Sequence, residues 1–353
     1  MTAARYEVVQ TDAQTGGVVT TLPVASITYT ETLNAAGSAS VSIPLTAPEA
    51  DPTTLYPGAS GFAILRDGEP VWGGLLWTAA ADLSTGVLTL NASGYHSYYA
   101  GRVLHDGYNR KADQAHLLRD WYELCNAENG IATDTSRLTT TGRIRSRTWT
   151  QYELKNIAEA VQELAEDAGG FNFRYVPYWT DNGRIGNRVL KADQGENVIP
   201  FALVHRENCN VTQVSYDSAA MATRVYAVGA DNGNGTKLVG IADNEDLAAR
   251  MPTKHMVQTF SDVKTTETLL DKSAAIRDAG REPVAIPSLT LYPGAFSPTD
   301  FVPGDSGAVQ ADYGYVALLS DFVITERKTD VDVNGTESTS LSLANKELFT
   351  SAD

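Results

Sequence analysis

Gly304-Asp305-Ser306-Gly307 is the segment of this chain that most suggests chemistry, because a serine in a tight glycine turn is how trypsin-like serine proteases present their nucleophile. That reaction also needs a histidine base and a buried aspartate to orient it. The histidines are His96, His105, His116, His205 and His255, and none stands in the Ala-Ala-His-Cys setting of such enzymes. Ala308 occupies the position where their loop carries a further glycine. Pro57-Gly58-Ala59-Ser60-Gly61 repeats the turn without the aspartate, so both segments read as polar turns that lead into strands. Ser306 is expected to do no chemistry.

Other constellations fail in the same way. Asp231-Asn232-Gly233-Asn234-Gly235 has glycines where a calcium loop needs its third and fifth ligands, and Ala242 where it needs a glutamate, so it reads as a hairpin turn. There is no His-Glu-x-x-His, no cysteine pair at zinc spacing and no glycine-lysine phosphate loop. Glu163, Glu166 and Asp167 flank an apolar helical stripe and read as a solvated face, not as a glycosidase pair. The Asn-x-Ser/Thr triplets at Asn91, Asn210, Asn234 and Asn334 have no meaning without secretion. Tyr95, Tyr98 and Tyr99 could form a sugar platform, but packing is the plainer use. Cys125 and Cys209 read as buried thiols. The sequence therefore offers no catalytic residue, no metal ligand set and no cofactor site, and the chain reads as a non-enzyme.

The composition agrees with a binding or structural role. A chain of 353 residues with 42% hydrophobic and 20% charged residues has room for two or three domains and a core that needs no disulfides. A net charge of −16 argues against holding a nucleic-acid backbone, which takes clustered Lys and Arg. The same charge would let DNA slide past without sticking, although solubility alone explains it too. Residues 1–10 show no signal-peptide pattern and no stretch has the ~20 apolar residues of a membrane helix, so a soluble protein made in the cytoplasm is expected.

The elements that would position any site are mostly strands. Ile27, Tyr29, Val41 and Ile43 alternate in short runs, and Phe62–Leu65, Asp67–Gly68 and Val71–Trp77 read as a tight hairpin followed by a strand over 87–92. Helical spacing then places Leu117, Trp121, Leu124 and Cys125 on one face behind an Asp113 cap. A second helix should start at the Thr150/Glu153 capping box, carry Leu154, Ile157, Val161 and Leu164 inward, and stop at Gly169–Gly170. Strands return from Phe201, with Val211–Tyr216 and Arg224–Val228, and a helix over 262–279 carries Leu269, Leu270 and Ile276 inward and ends at Gly280. A last meander turns at Asn334–Gly335.

One repeat organises these segments. Pro57-Gly58-Ala59-Ser60-Gly61 opens the first hairpin and Pro303-Gly304-Asp305-Ser306-Gly307 opens the last meander. Each leads to a glycine turn, an apolar strand and a closing strand, Val87–Leu90 against Ser340–Leu343. The expected fold is mixed β and α+β, with two similar small β-barrels separated by an α/β insertion. The boundaries are 1–101 for the first barrel, 102–197 for the middle and 198–353 for the second barrel, with one helix, about 262–279, inserted in it. Gly58 should superpose on Gly304 and Leu88 on Leu341.

Taken in order, Gly58 to Trp77, the strand Val87 to Gly94, the helix end Leu164 to Phe173, Pro303-Gly304-Asp305 and Leu341-Ser342-Leu343 resemble the minor tail proteins of siphophages infecting actinobacteria. Through them they resemble the baseplate-hub proteins of contractile tails. The resemblance spans nearly the whole chain without an invariant motif. It implies a ring-shaped homotrimer, in which two similar units per chain give six and so match a six-fold tail tube. It also implies contacts with the distal tail protein ring or tail tube, the tape measure protein, and tail tip or fibre proteins. DNA would pass through the ring without specific binding, and the protein would sit at the tail tip of the virion after assembly in the host cytoplasm, with no stable membrane insertion. The alternative is a receptor- or carbohydrate-binding β protein at the tail tip.

Overall fold

The computed structural model describes residues 4–166, 170–192, 198–231, 233, 235–260, 263–292 and 296–345. The chain opens with β1 (Tyr6–Asp12), β2 (Val18–Leu22), β3 (Ser26–Thr32) and β4 (Ser38–Pro44). The hairpin β5 (Ser60–Arg66) and β6 (Glu69–Asp82) follows, then β7 (Val87–Gly94). The middle of the chain comprises α1 (His96–Tyr99), β8 (Val103–Leu104), β9 (Tyr108–Asp113), α2 (Gln114–Ala127), β10 (Ile144–Trp149), β11 (Lys155–Asn156), α3 (Ile157–Glu166), β12 (Phe173–Trp179) and β13 (Ile185–Lys191). Next come β14 (Leu203–Val204), β15 (Cys209–Asp217), β16 (Arg224–Asp231), β17 (Lys237–Asp243), α4 (Glu245–Ala248), β18 (His255–Thr259) and α5 (Thr266–Ala279). The last strands are β19 (Val284–Leu291), β20 (Ser306–Tyr313), β21 (Val316–Val331) and β22 (Glu337–Asn345).

The two β segments do not form separate barrels. They join in one 13-stranded sheet whose main path runs β15-β19-β22-β21-β3-β4-β7-β6-β5-β1-β2, with β20 on β21 and β14 on β20, and no pairing closes either half among the described residues. The cause is the length of β21. Its first half pairs with β20, but Glu326–Val331 run on past that hairpin and leave an edge that β3 fills, Glu326 opposite Thr32 through Val331 opposite Ile27. An unpaired strand edge is a liability, so the pairing that removes it wins over two separate closures. Each half keeps its own core even so: Ile27, Val41, Ile64 and Leu90 in the first, and Leu289, Phe301, Phe322 and Leu341 in the second.

The junction between the halves is polar, half-buried at Arg66 and Glu337 and buried at Arg327. The Arg66 guanidinium holds Glu337 through two bonds, Nε to Oε2 at 3.0 Å and Nη2 to Oε1 at 2.8 Å, and Tyr6 donates to the same carboxylate at 2.6 Å. Arg327, 3% exposed, donates to Glu31 and, at 3.0 Å, to the Phe301 carbonyl. Burial alone would raise the Glu337 carboxyl, but the bonds from Arg66 and Tyr6 outweigh it and hold the group below its ordinary 4.5. A depressed carboxyl adds stability above its unfolded pKa, and that stability is lost as pH falls through the folded value. Glu337→Gln is therefore expected to cost about 1.5–3 kcal/mol at pH 7. Thermal melts of variant and wild type should converge as pH falls below 4.5 and Glu337 takes up its proton.

The middle segment is built from helices and antiparallel two-stranded ribbons around Leu117, Leu118, Trp121, Tyr122, Val161 and Phe173. Asp113 caps α2 by accepting from the Ala115 amide at 2.9 Å. Leu124 is 48% exposed, not inward, and Leu118 and Tyr122 fill that face. The Thr150/Glu153 capping box forms, but on a 3₁₀ turn; Leu154 then takes a positive φ of 44°, and α3 starts only at Ile157. A left-handed leucine breaks the helical hydrogen bonding there, which leaves Leu154 53% exposed. Gly169 and Asp167 lie outside the described residues.

The second half holds more than one inserted helix. The span 218–283, between β15 and β19, forms its own three-stranded sheet, β17-β16-β18, with α5 against it. Arg224–Val228 therefore belong to this module and not to the main sheet. Glycine explains the close approach: a Cβ on Gly240 would stand 2.3 Å from the Leu269 backbone, and one on Gly229 2.7 Å from the Leu269 side chain. Leu269 is buried, whereas Leu270 is 47% exposed, and the helix begins at Thr266. Asp262, Asn232 and Asn234 lie outside the described residues. No described helix is long and apolar enough to cross a membrane.

Candidate interaction surfaces

The chemistry-bearing residues do not assemble into a site. Ser306 is 1% exposed and its Oγ has no hydrogen-bond partner among the described residues, while Ser60 Oγ of the first copy donates to the Thr54 carbonyl. Four of the five histidines are engaged elsewhere: His96 with Tyr175, His105 with Glu128, His205 with the Val211 amide, and His255 against the Tyr226 ring. Burial pushes His96 down to about 4. Among the described residues no three His, Cys, Asp or Glu side chains group closely enough to hold a metal. Asp231 Oδ1 caps its own turn by accepting from Gly233 and Gly235, and β16 pairs with β17 across it. Tyr95 and Tyr99 are buried. Ser306→Ala removes a buried hydroxyl that bonds nothing among the described residues, so stability should stay within about 0.5 kcal/mol of wild type by thermal melt.

What the structure does assemble is a tandem repeat of pairing. Along the sheet, β15-β19-β22-β21 is followed at once by β3-β4-β7-β6. In the first half the Gly58 amide donates to the Leu76 carbonyl at 2.7 Å, and in the second Gly304 donates to Ile324 at 2.8 Å, both glycines at positive φ. One residue later each long strand bulges, at Trp77 and at Thr325. Each then ends in a turn whose aspartate caps two amides, Asp82 and Asp332. This register sets Leu90, opposite Ala79, against Leu341, opposite Arg327, so Leu90 and not Leu88 is the match. The bulges at Trp77 and Thr325 shift this register and leave no mark in the spacing of the leucines.

The repeat leaves two edges open. Glu326–Val331 of β21 are paired on both sides, by β22 and by β3. The equivalent stretch of β6, Thr78–Asp82, pairs among the described residues only with β7, and Trp77–Asp82 are all exposed. At the start of the path β15, the counterpart of β3, has β19 on one side and is largely exposed.

The sheet face turned away from the two cores is lined by hydroxyls and amides. One row crosses seven strands and both halves: Asn210, Thr290, Ser340, Lys328, Thr30, Ser38 and Ser93. A shallow depression on this face is lined by Thr28, Ser40, Thr78 and Asn91. Charges on it are few, and Lys328 is balanced by Asp330 at 3.0 Å.

A further group of side chains comes together from distant parts of the sequence. Tyr216 and Tyr315 meet at right angles with centroids 5.6 Å apart, and the Arg206 guanidinium lies 4.4 Å from the Tyr313 ring. Tyr313, Tyr315 and Leu319 are 62%, 87% and 73% exposed. Nothing local in the sequence marks this cluster, since residue 216 is separated from 313 by the whole inserted module.

No family model matches the sequence, and no curated protein does. Solved structures do match. A tail protein from Neisseria meningitidis aligns over 98% of both chains at 13% identity with a TM-score of 0.63. The fold is that of a tail protein. The 43 kDa tail protein of a Shewanella oneidensis prophage aligns over 99% of this chain and 100% of its own at 10% identity and a TM-score of 0.59. A prophage tail protein from Listeria monocytogenes aligns over 98% and 96% at 13% identity and 0.56.

Proposed function

We propose that this chain is a structural protein of a phage tail, not an enzyme, and that three copies form a hub ring at the distal end of the tail. The observation that carries the reading is the pair of open edges. Within one chain, β21 of the second repeat pairs with β3 of the first. The same pairing between chains would join β6 of one copy to β15 of the next, head to tail. Heterologous contacts of this kind close into rings when the rotation permits. The number three comes from the resemblance: two repeats per chain then give six similar units, which fit a six-fold tube above.

Closure of this sheet would turn its hydroxyl-lined face inward, because the other face buries the two cores. That face suits a passage for DNA, since it offers few cations for phosphates to bind. The reading divides the chain at 1–101, 102–197 and 198–353, the middle unit packing outside the first half through Ile185 on Val9, Ala63 and Leu65. Its partners would be the distal tail protein ring or tail tube, the tape measure protein, and tip or fibre proteins. The assembly would be of the siphophage minor-tail type, built in the host cytoplasm and carried in the virion. Co-purification of the full chain with the distal tail protein tests the placement: a stoichiometric complex supports it, and separate elution under all salt conditions contradicts it.

A further inference from the structure

Resting on the ring reading, we propose that the aromatic corner of Tyr216, Tyr313 and Tyr315 is the seat for the Asp82–Gly86 turn of a second copy. The template is a contact inside the chain. Arg66, which closes the first hairpin opposite Glu69, reaches across the junction to Glu337 at the start of β22. Counted along the ladders from Leu76 and Ile324, Arg66 corresponds to Ala311, and the second hairpin runs two residues further, so that Tyr313, opposite Val316, stands one step beyond the match on the same face of β20. Leu341 corresponds to Leu90, so Glu337, four residues before Leu341, corresponds to Gly86. A head-to-tail neighbour therefore brings its Gly86 to the end of β20 at Ala311, where the longer hairpin adds Tyr313 and Tyr315 beside it, as the in-chain junction brings Glu337 to Arg66.

The chemistry at the two places differs in a matched way. The ion pair is replaced by Ala311 with Tyr313 one step beyond it on one side, and by a glycine on the other. A Cβ on Gly86 would meet nothing within 4 Å, so the turn presents open backbone on which a ring can lie. Leu83 in the same turn is 88% exposed, and the facing corner supplies exposed Tyr315 and Leu319. Tyrosine with a stacked arginine is the composition of interface hot spots, and here Arg206 already covers one side of Tyr313. Without a neighbour these rings would spend their area on water.

The test uses the full chain with Leu83→Cys and Tyr315→Cys together. The native Cys125 and Cys209 are buried and should stay silent. A short bis-maleimide should convert the double variant to covalent trimer and leave each single variant uncross-linked. In parallel, Tyr313→Ser with Tyr315→Ser should weaken the ring at least tenfold by sedimentation. The inference is overturned if wild type forms a ring while the double-cysteine chain does not cross-link and the serine variant changes association less than threefold. If wild type itself stays monomeric with its tail partner present, the ring reading falls first and takes this contact with it.

Discussion

Ala81→Pro is expected to turn the ring into monomers while the monomer folds normally. The Leu33 amide donates to the Thr325 carbonyl, so residues 325, 327 and 329 of β21 direct their backbone groups at β3. Their counterparts in β6 are Trp77, Ala79 and Ala81, whose groups face the open edge. The Gly86 amide donates to the Asp82 carbonyl, which places the alternate residues on the β7 side. Proline at Ala81 therefore deletes an amide only from the edge that a neighbour would use, the one place in a strand where proline is tolerated. Each interface left with an unmatched carbonyl loses about 1–3 kcal/mol, and a closed ring suffers the loss at every contact. Light scattering should give the mass of one chain, with the melting temperature close to wild type. Ala80→Pro is the contrast, since its amide faces β7 and its loss should lower the melting temperature.

The second large effect concerns the hydroxyl-lined face. Ser40→Lys with Ser340→Lys places one cation per repeat on that face, six per ring of three. Proteins with six to ten phosphate contacts lose roughly 10³–10⁵ in affinity between 50 and 200 mM salt. The variant ring should retain duplex DNA at low salt with a steep salt dependence, while the wild-type ring, from a chain of net charge −16, should retain none. Phage carrying the variant should assemble tails but eject DNA slowly. If the variant ring shows no salt-dependent retention, these residues do not face the passage.

Much of this fold was legible in the sequence where the signal is local. The Asp113 cap, the Asp67–Gly68 turn with both residues at positive φ, and the alternation of Ile27, Tyr29, Val41 and Ile43 depend on neighbours a few residues apart. The glycine repeat was also visible, because Gly58 and Gly304 each need a conformation that few other residues take. What was not legible depends on pairing between distant strands. The β21–β3 contact joins residues about 300 apart and shows in no periodicity, so the halves read as two closed barrels instead of one shared sheet. The capping box at Thr150 was read correctly as a box and wrongly as the start of α3, because the left-handed Leu154 has no sequence signal. The open edges of β6 and β15 could not be seen before the register was known, and they carry the functional reading.

The most direct test of that reading is the mass and shape of the purified full chain, alone and with the distal tail protein. Multi-angle light scattering with negative-stain class averages should show a closed ring of three times 37.9 kDa with a central opening. A single chain of 37.9 kDa under both conditions, with no ring in the class averages, would contradict it.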